Sequence, residues 1–346
     1  MPIVQHDVLR SFASQCYRAM GVAAEAADLV ADTLVQADLW GHQSHGVMRI
    51  FWYAARLQSG AMNGNVQPKT TPGLGAICTM DGQGGMGQLV AKAAMTHAIT
   101  LARTHGIGAV AVRNSGHFGT AMYFTRMAAE AGCVGFISTN ASPAMAPWGG
   151  VEKRVGNNPW SWAAPAGSHP PMMLDIANTA VARGKLYLAR QRGEEIPASW
   201  AIDVQGNATV DPAEGIAGTI LPMGGHKGYA ISIAMDMLSG VLTGSHFGRS
   251  VVGPYVPDGK SGVGHMVMAI DITACRPLAE FNADMDRMIA DLKATPRRDD
   301  VPEIHYPGEI EAKSDVLLRQ IGIDLPNETA NELRKKAYPL GITAPF

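Results

Sequence analysis

Cysteine is scarce and scattered in this chain. Cys16, Cys78, Cys133 and Cys275 lie far apart with no C-x-x-C pair, which excludes a disulfide framework and the usual zinc spacing and points to reduced packing residues of a cytosolic protein. Blocks of like charge are also missing. The 28 basic and 30 acidic residues are interspersed, with a net charge of -2, so there is no electrostatic footprint for nucleic acid or an anionic lipid surface. No apolar run reaches the length of a membrane span. The opening residues Met1 to Asp7 lack the basic start and apolar stretch of a secretory signal. These absences leave a cytoplasmic protein whose expected partner is a small molecule.

What is present is apolar and patterned. Hydrophobic residues make up 47% of 346, enough for a substantial core and more than one structural unit. Helical periodicity runs from about Asp7 to Met20 and from about Ala23 to Ala37, with Gly21 and Gly41 as stops. Ser44 suits the N-cap of a third helix reaching Leu57, which would set His45 and Arg49 at i and i+4 on one face of its first turn. Beyond a Gly/Asn/Pro-rich link, strands at 76–80 and 107–112 alternate with helices at 88–104 and 123–131, an α/β pattern. Further strands are expected at 134–138, 172–175, 218–221 and 263–272. Helices are expected at 231–242 and 285–292 and from about Ser314 and Asn327.

Three familiar motifs fail on their own mechanics. Gly82-Gln83-Gly84-Gly85-Met86-Gly87 matches G-x-G-x-x-G between a strand and a helix, but no acidic residue follows Asp81 until Glu130, so the ribose partner of a Rossmann site is missing. Arg113 is left as a candidate for a 2′-phosphate. Gly259-Lys260-Ser261 resembles the end of a P-loop, yet Pro254 holds the position of its first glycine, and no G-x-S-x-G elbow occurs. His42 and His45 have H-x-x-H spacing without a second clustered ligand pair, so no metal is expected.

The polar residues that remain gather at the ends of apolar segments. Arg113 to Gly119 follows a buried strand and places His117 at a sheet edge. Gly156-Asn157-Asn158-Pro159 is a donor-rich turn. Asp175 ends an apolar strand and suits either a ribose hydroxyl or a helix N-cap. Gly224-Gly225-His226-Lys227-Gly228 sets glycine turns and a lysine before a buried helix, a natural arrangement for phosphate and an equally ordinary solvated loop.

Together with Ala37-Asp38, Ser44-His45-Gly46-x-x-Arg49, Gly184-Lys185, Leu221-Pro222-Met223, Gly240 to Gly244 and Tyr306-Pro307-Gly308-Glu309, these stretches resemble, in order and over nearly the whole chain, the type-2 malate/L-lactate dehydrogenase family. Its members include ureidoglycolate and sulfolactate dehydrogenases and an imine reductase branch. The resemblance implies a non-Rossmann mixed-sheet α/β fold with terminal helices packed together, NAD or NADP as cofactor, and a homodimer. It divides the chain into a helical module (1–58 with 312–346), a catalytic α/β core (59–118 with 295–311) and a cofactor-binding domain (119–294). Cofactor contacts are implied at His117, Phe118, Gly119, Asn140, Ala141, Ser142, Asp175, Ile176, Ala177, Lys227, Pro307, Gly308 and Glu309, and substrate contacts at Ser44, His45, Arg49 and His117. The expected reaction interconverts a 2-oxo acid and a 2-hydroxy acid, with His117 as acid and base, Arg49 gripping the carboxylate, His45 polarising the carbonyl and Ser44 orienting it. Imine reductases of the family are expected to carry an aspartate where Lys185 stands, which favours the hydroxy-acid reaction. The competing readings are an imine reductase and a metal-dependent hydrolase or lyase using His42, His45 and His117.

Overall fold

The computed structural model describes all residues, 1–346. Its centre is a seven-stranded mixed sheet in the order Lys69–Pro72, Ile77–Asp81, Ile107–Ser115, Val263–Asp271, Cys133–Thr139, Trp160–Ala166 and His169–Ile176. Among neighbouring strands only Ile77–Asp81 and Ile107–Ser115 pair in parallel, a pairing that needs a crossover connection, which helix Gly87–His105 supplies. Val263–Asp271 pairs antiparallel on both sides. A strand with neighbours on both edges and cover on both faces has no solvent side, which is why it reads as an unbroken apolar run.

Helices Gly87–His105 and Met122–Glu130 cover one face through Val90, Ala94, Met95, Ala98, Phe124 and Ala128. On the other face Ala109, Ala111, Phe136 and Met266 meet Met235 and Leu238, from helix His226–Asp236 and the π-helical turn Met237–Val241 that extends it. A separate core of Leu9, Phe12, Tyr17, Leu34, Ile50 and Tyr53 is completed by Leu325, Ala330 and Leu333 from the far end of the chain. The terminal helices therefore pack together, and Ile3–Val4 pairs with Ile323–Asp324.

Most elements fall within a few residues of their expected places. Lys69–Pro72, helix Arg183–Arg192 and helix Pro212–Ala217 are additions. The third helix is a correction. Ser44 caps nothing: it lies in a 3-10 turn, Gln43–His45, followed by another, Val47–Arg49, and the α-helix spans Ile50–Gln58. The cause is Asp38, buried at the end of helix Ala24–Leu39, whose carboxyl oxygen accepts the Val47 N–H at 2.9 Å and takes the role foreseen for Ser44.

Candidate active site

The double turn is built on Asp38. Gly46 lies so close to this carboxyl group that a Cβ there would overlap it. Burial pushes the Asp38 carboxyl up to about 8, against the lowering effect of the Val47 N–H. From this base Ser44 Oγ meets His45 Nδ1 at 2.9 Å, and Arg49 Nε donates to the Ser44 carbonyl at 2.6 Å. The Arg49 guanidinium lies over the Trp52 ring, 4.1 Å from its centre. Only its Nε is spent within the chain, so its terminal nitrogens are free for a carboxylate.

His117 is delivered to the same place by strand Ile107–Ser115. Behind it, the start of helix Gly87–His105 packs so tightly that a Cβ on Gly87 would overlap the Gly116 carbonyl and lie 2.6 Å from the His117 carbonyl carbon. The rings of His45 and His117 stack with centres 5.8 Å apart. His117 Nδ1 is 2.7 Å from the Tyr53 hydroxyl and accepts the Gly119 N–H at 3.2 Å. Burial, then Arg49, His45 and His265, hold His117 well below the ordinary histidine range. Burial, then Arg49 and His42, bring His45 down to about 3. Both rings are therefore neutral at pH 7.

Tyr53, Tyr255 and Arg183 belong to this site and went unnoticed in the sequence. Tyr53 follows Arg49 by four residues and His45 by eight, a same-face spacing that could have flagged it. Tyr255 carries no such signal. It arrives on a loop held by the fully buried Arg56, which donates to the carbonyls of Val256 and Gly259 and to Ser261 Oγ. Tyr255 stands edge-on to Trp52 and bonds Ser142 Oγ at 3.1 Å and Arg183 at 3.3 Å. A line of contacts thus runs from Arg49 through two aromatic rings to a second cation.

The cofactor candidates form a connected band beside this pocket. Phe118 packs on Phe124 and His265. Asp175 accepts the Met122 N–H at 2.9 Å, capping helix Met122–Glu130 from a neighbouring strand. Pro307 accepts the Met173 N–H, which docks the 307–309 segment on the strand ending at Ile176. Beyond Ala177, Asn178 and Ala180 bond Met223 and Leu221, tying that strand end to the Gly224–Lys227 turn. Several side chains in the band are already committed. Asn140 bonds Asp236, the His246 carbonyl and the Gly264 N–H, the Ala141 N–H goes to Asn158, and Glu309 pairs with Lys293 and Lys313. What stays open is backbone at Gly119 and Gly224, where an added Cβ would meet nothing within 4 Å, and the exposed, unpaired Lys227. Consecutive left-handed glycines, φ +59 and +67 at Gly224 and Gly225, beside a free lysine form an anion cradle that fits a dinucleotide's phosphates.

The other motifs resolve structurally. Gly82–Gly87 is a turn closed by Asp81, which bonds the Gln83 N–H, Asn114 and Arg113, and the helix start behind it is plugged by residues 116–117. His42 turns to Glu311 at 3.5 Å, and His42, His45 and His117 form no ligand cluster; the one group of metal-ligating side chains, Glu303, His305 and Glu309, is occupied by Lys293 and Lys313. No helix is long and apolar enough to cross a membrane.

Comparison with known proteins bears on the family and the fold. The family model for malate/L-lactate dehydrogenase matches residues 4–334. The malate dehydrogenase of Pyrococcus abyssi is 38% identical over 98% of this chain and 95% of its own length. The (2R)-3-sulfolactate dehydrogenase (NADP(+)) of Chromohalobacter salexigens is 33% identical over 92% and 87%, and the ureidoglycolate dehydrogenase (NAD(+)) of Escherichia coli O157:H7 is 33% identical over 88% and 86%. The solved sulfolactate dehydrogenase of Methanocaldococcus jannaschii superposes with a TM-score of 0.94 at 34% identity, covering 99% of this chain and 98% of that one. A Δ1-piperideine-2-carboxylate reductase from Pseudomonas syringae superposes at 0.86 with 26% identity, covering 97% and 99%. Fold and site together define an NAD(P)-dependent oxidoreductase acting on 2-hydroxy acids, built without a Rossmann domain. The chain belongs to the malate/L-lactate dehydrogenase family.

Proposed function

We propose that the protein interconverts a 2-oxo acid and its 2-hydroxy acid, with His117 exchanging the proton and Arg49 holding the carboxylate. The observation that carries this reading is the convergence of a cation with free terminal nitrogens and two neutral, stacked imidazoles in one pocket. Bidentate binding of C1 by Arg49 fixes the plane of the carbonyl. Seating that anion offsets the arginine's charge, which lets His117 take up the proton it later gives to the carbonyl oxygen. His45, oriented by Ser44, donates to the same oxygen as a neutral ring. When bound, the nicotinamide supplies or accepts the hydride at C2. The band from His117–Gly119 through Asn140–Ser142, Asp175–Ala177 and Pro307–Glu309 would hold the cofactor, with Lys227 on a phosphate.

The second cation, Arg183, lies across Tyr255 from Arg49 and suits an acid with a second anionic group, as malate and sulfolactate have. Lys185, exposed on helix Arg183–Arg192, supplies no carboxylate of the kind expected in an imine reductase. The protein works as a homodimer, supported by exposed apolar side chains in one run, Ile233, Met237, Val241, Leu242 and Phe247. A panel of 2-oxo acids with NADH and with NADPH tests the reaction. Turnover with a dicarboxylate or sulfonated acid, lost about 100-fold or more in His117→Ala, is the expected result. Retention of turnover in both His117→Ala and His45→Ala sinks the assignment.

A further inference from the structure

His265 is a fully buried histidine that the reaction proposed above leaves unused. It sits in the central strand Val263–Asp271, between the strand that delivers His117 and the strand that runs into Asn140. Its Nε2 lies 2.7 Å from Ser115 Oγ on one side, and its Nδ1 lies 2.9 Å from Thr139 Oγ1 on the other. Ser115 stands two residues before His117, Thr139 immediately precedes Asn140, and the His265 ring packs on Phe118 with 4.8 Å between centres. Ser115 reaches the ring through a β-bulge. Val263 pairs with Ser115 whereas His265 pairs with Val112, so Arg113 and Asn114 together oppose Gly264. The extra residue puts Ser115, rather than Asn114, opposite Val263 and on the face of His265. Asn114 takes the left-handed turn this requires, at φ +53, with its side-chain amide donating to Asp81 at 3.1 Å and its carbonyl accepting the Gly84 N–H at 2.7 Å.

The hydrogens of this chain have one arrangement that uses them all. Thr139 Oγ1 is also 3.2 Å from the Gly264 carbonyl, which can only accept. With Thr139 donating there, its oxygen receives the His265 Nδ1–H, Nε2 keeps a lone pair, and the Ser115 hydroxyl donates to that lone pair. The opposite tautomer would point Nε2–H at Ser115 Oγ and leave the buried Ser115 hydrogen with nothing to bind, which costs the desolvation of that group. Burial brings the His265 ring down to about 3, so it is neutral at pH 7 and neither takes nor gives a proton in the reaction. A neutral, fully bonded imidazole between two strand ends is a clamp, and what it clamps is the approach to His117 and the approach to Asn140.

We infer that His265 is a positioning residue that works through two separate arms: by way of Ser115 it fixes the strand end carrying His117, and by way of Thr139 it fixes the Asn140–Ser142 loop against the cofactor. The inference rests on the reading of His117 as acid and base and of residues 140–142 as part of the cofactor band. Because both arms end on one rigid ring, the proton-exchanging histidine and the cofactor loop keep a fixed relation to each other, which a hydride and proton transfer to neighbouring atoms requires. The two arms lead to different groups, so cutting them one at a time should damage different steps. Loss of the Ser115 arm loosens His117 and should act on turnover. Loss of the Thr139 arm loosens the loop and should act on cofactor affinity.

The test uses Ser115→Ala and Thr139→Val in the full-length protein, each removing one hydroxyl, with thermal midpoints confirming folding. NADH and NADPH are titrated by fluorescence without substrate, and kcat is measured at saturating cofactor. Ser115→Ala is expected to lower kcat about tenfold or more and leave the cofactor Kd within about twofold. Thr139→Val should raise that Kd about tenfold and leave kcat within about threefold. At the ring itself, His265→Gln keeps an amide at the place of Nε2 and should behave as Thr139→Val does, while His265→Asn keeps one at the place of Nδ1 and should behave as Ser115→Ala does. In the His265→Asn background Ser115→Ala should add nothing. Ring nitrogen shifts of His265 in the parent, read by NMR, should show a neutral Nδ1–H imidazole from about pH 5 to 9. Variants that change kcat and Kd together, or change neither, overturn the inference, and so does an Nε2–H tautomer. If the parent reduces no 2-oxo acid while Thr139→Val weakens cofactor binding, Ser115→Ala leaves it unchanged and the tautomer is as described, the proposed reaction fails and the clamp stands.

Discussion

Asp38 is a carboxylic acid kept by burial in its neutral form. Its folded pKa lies above its unfolded value, so folding binds a proton that the unfolded chain releases. Its contribution to stability is complete below about 4 and is lost as pH rises towards about 8. Asp38→Asn keeps an acceptor for the Val47 N–H and removes the charge. It should raise the unfolding free energy at pH 8, by on the order of 3 to 5 kcal/mol, and leave it nearly unchanged at pH 4. Equal effects at both pH values, measured by calorimetry, would contradict the account. Arg183 is a cation of a different kind, partly exposed and poised on Tyr255. Arg183→Ala should raise KM for a dicarboxylic 2-oxo acid about tenfold or more while changing KM for pyruvate little, a contrast that steady-state kinetics reads directly.

At the scale of elements, the site depends on how closely helix Gly87–His105 approaches the strand end carrying His117. A side chain at residue 87 would push against backbone on both sides of that histidine. Gly87→Ala should therefore cost roughly 2 to 4 kcal/mol of stability and lower kcat more than it raises KM, because His117 moves and Arg49 does not. Parent-like kinetics in that variant would show that the contact has slack. The same close approach explains why the glycine-rich turn is no nucleotide site. Its helix start faces protein backbone, where a Rossmann helix faces pyrophosphate.

Across the whole molecule, the pocket is assembled from segments up to 205 residues apart in sequence. Arg56 holds Val256, Gly259 and Ser261, and so brings Tyr255 to the double turn. Ile233, Met237, Val241, Leu242 and Phe247 are exposed on the same molecule. For a homodimer, light scattering should give twice the 36.6 kDa chain mass, and the double substitution Met237→Glu with Val241→Glu should shift it towards the monomer with an intact circular dichroism spectrum. A dimer indifferent to that change would place the interface elsewhere.

The sequence by itself determined what local pattern can determine. Apolar periodicity marks most helices and strands, since period and burial are written residue by residue. Ordered motifs identify the family, and Ser44, His45, Arg49 and His117 are legible because each sits at the end of an apolar element. Short edge strands and polar helices such as Lys69–Pro72 and Arg183–Arg192 escaped because they bury too little to leave a pattern. Only the tertiary structure decided that Asp38, not Ser44, shapes the turn before the third helix. It alone brought Tyr53 behind His117, Tyr255 and Arg183 in front of Arg49, and residues 116–117 against the glycine-rich turn. Apart from the Asp38 contact with Val47, nine residues away, each of these is a contact between side chains or backbones far apart along the chain, and distance through space is what a linear pattern does not encode.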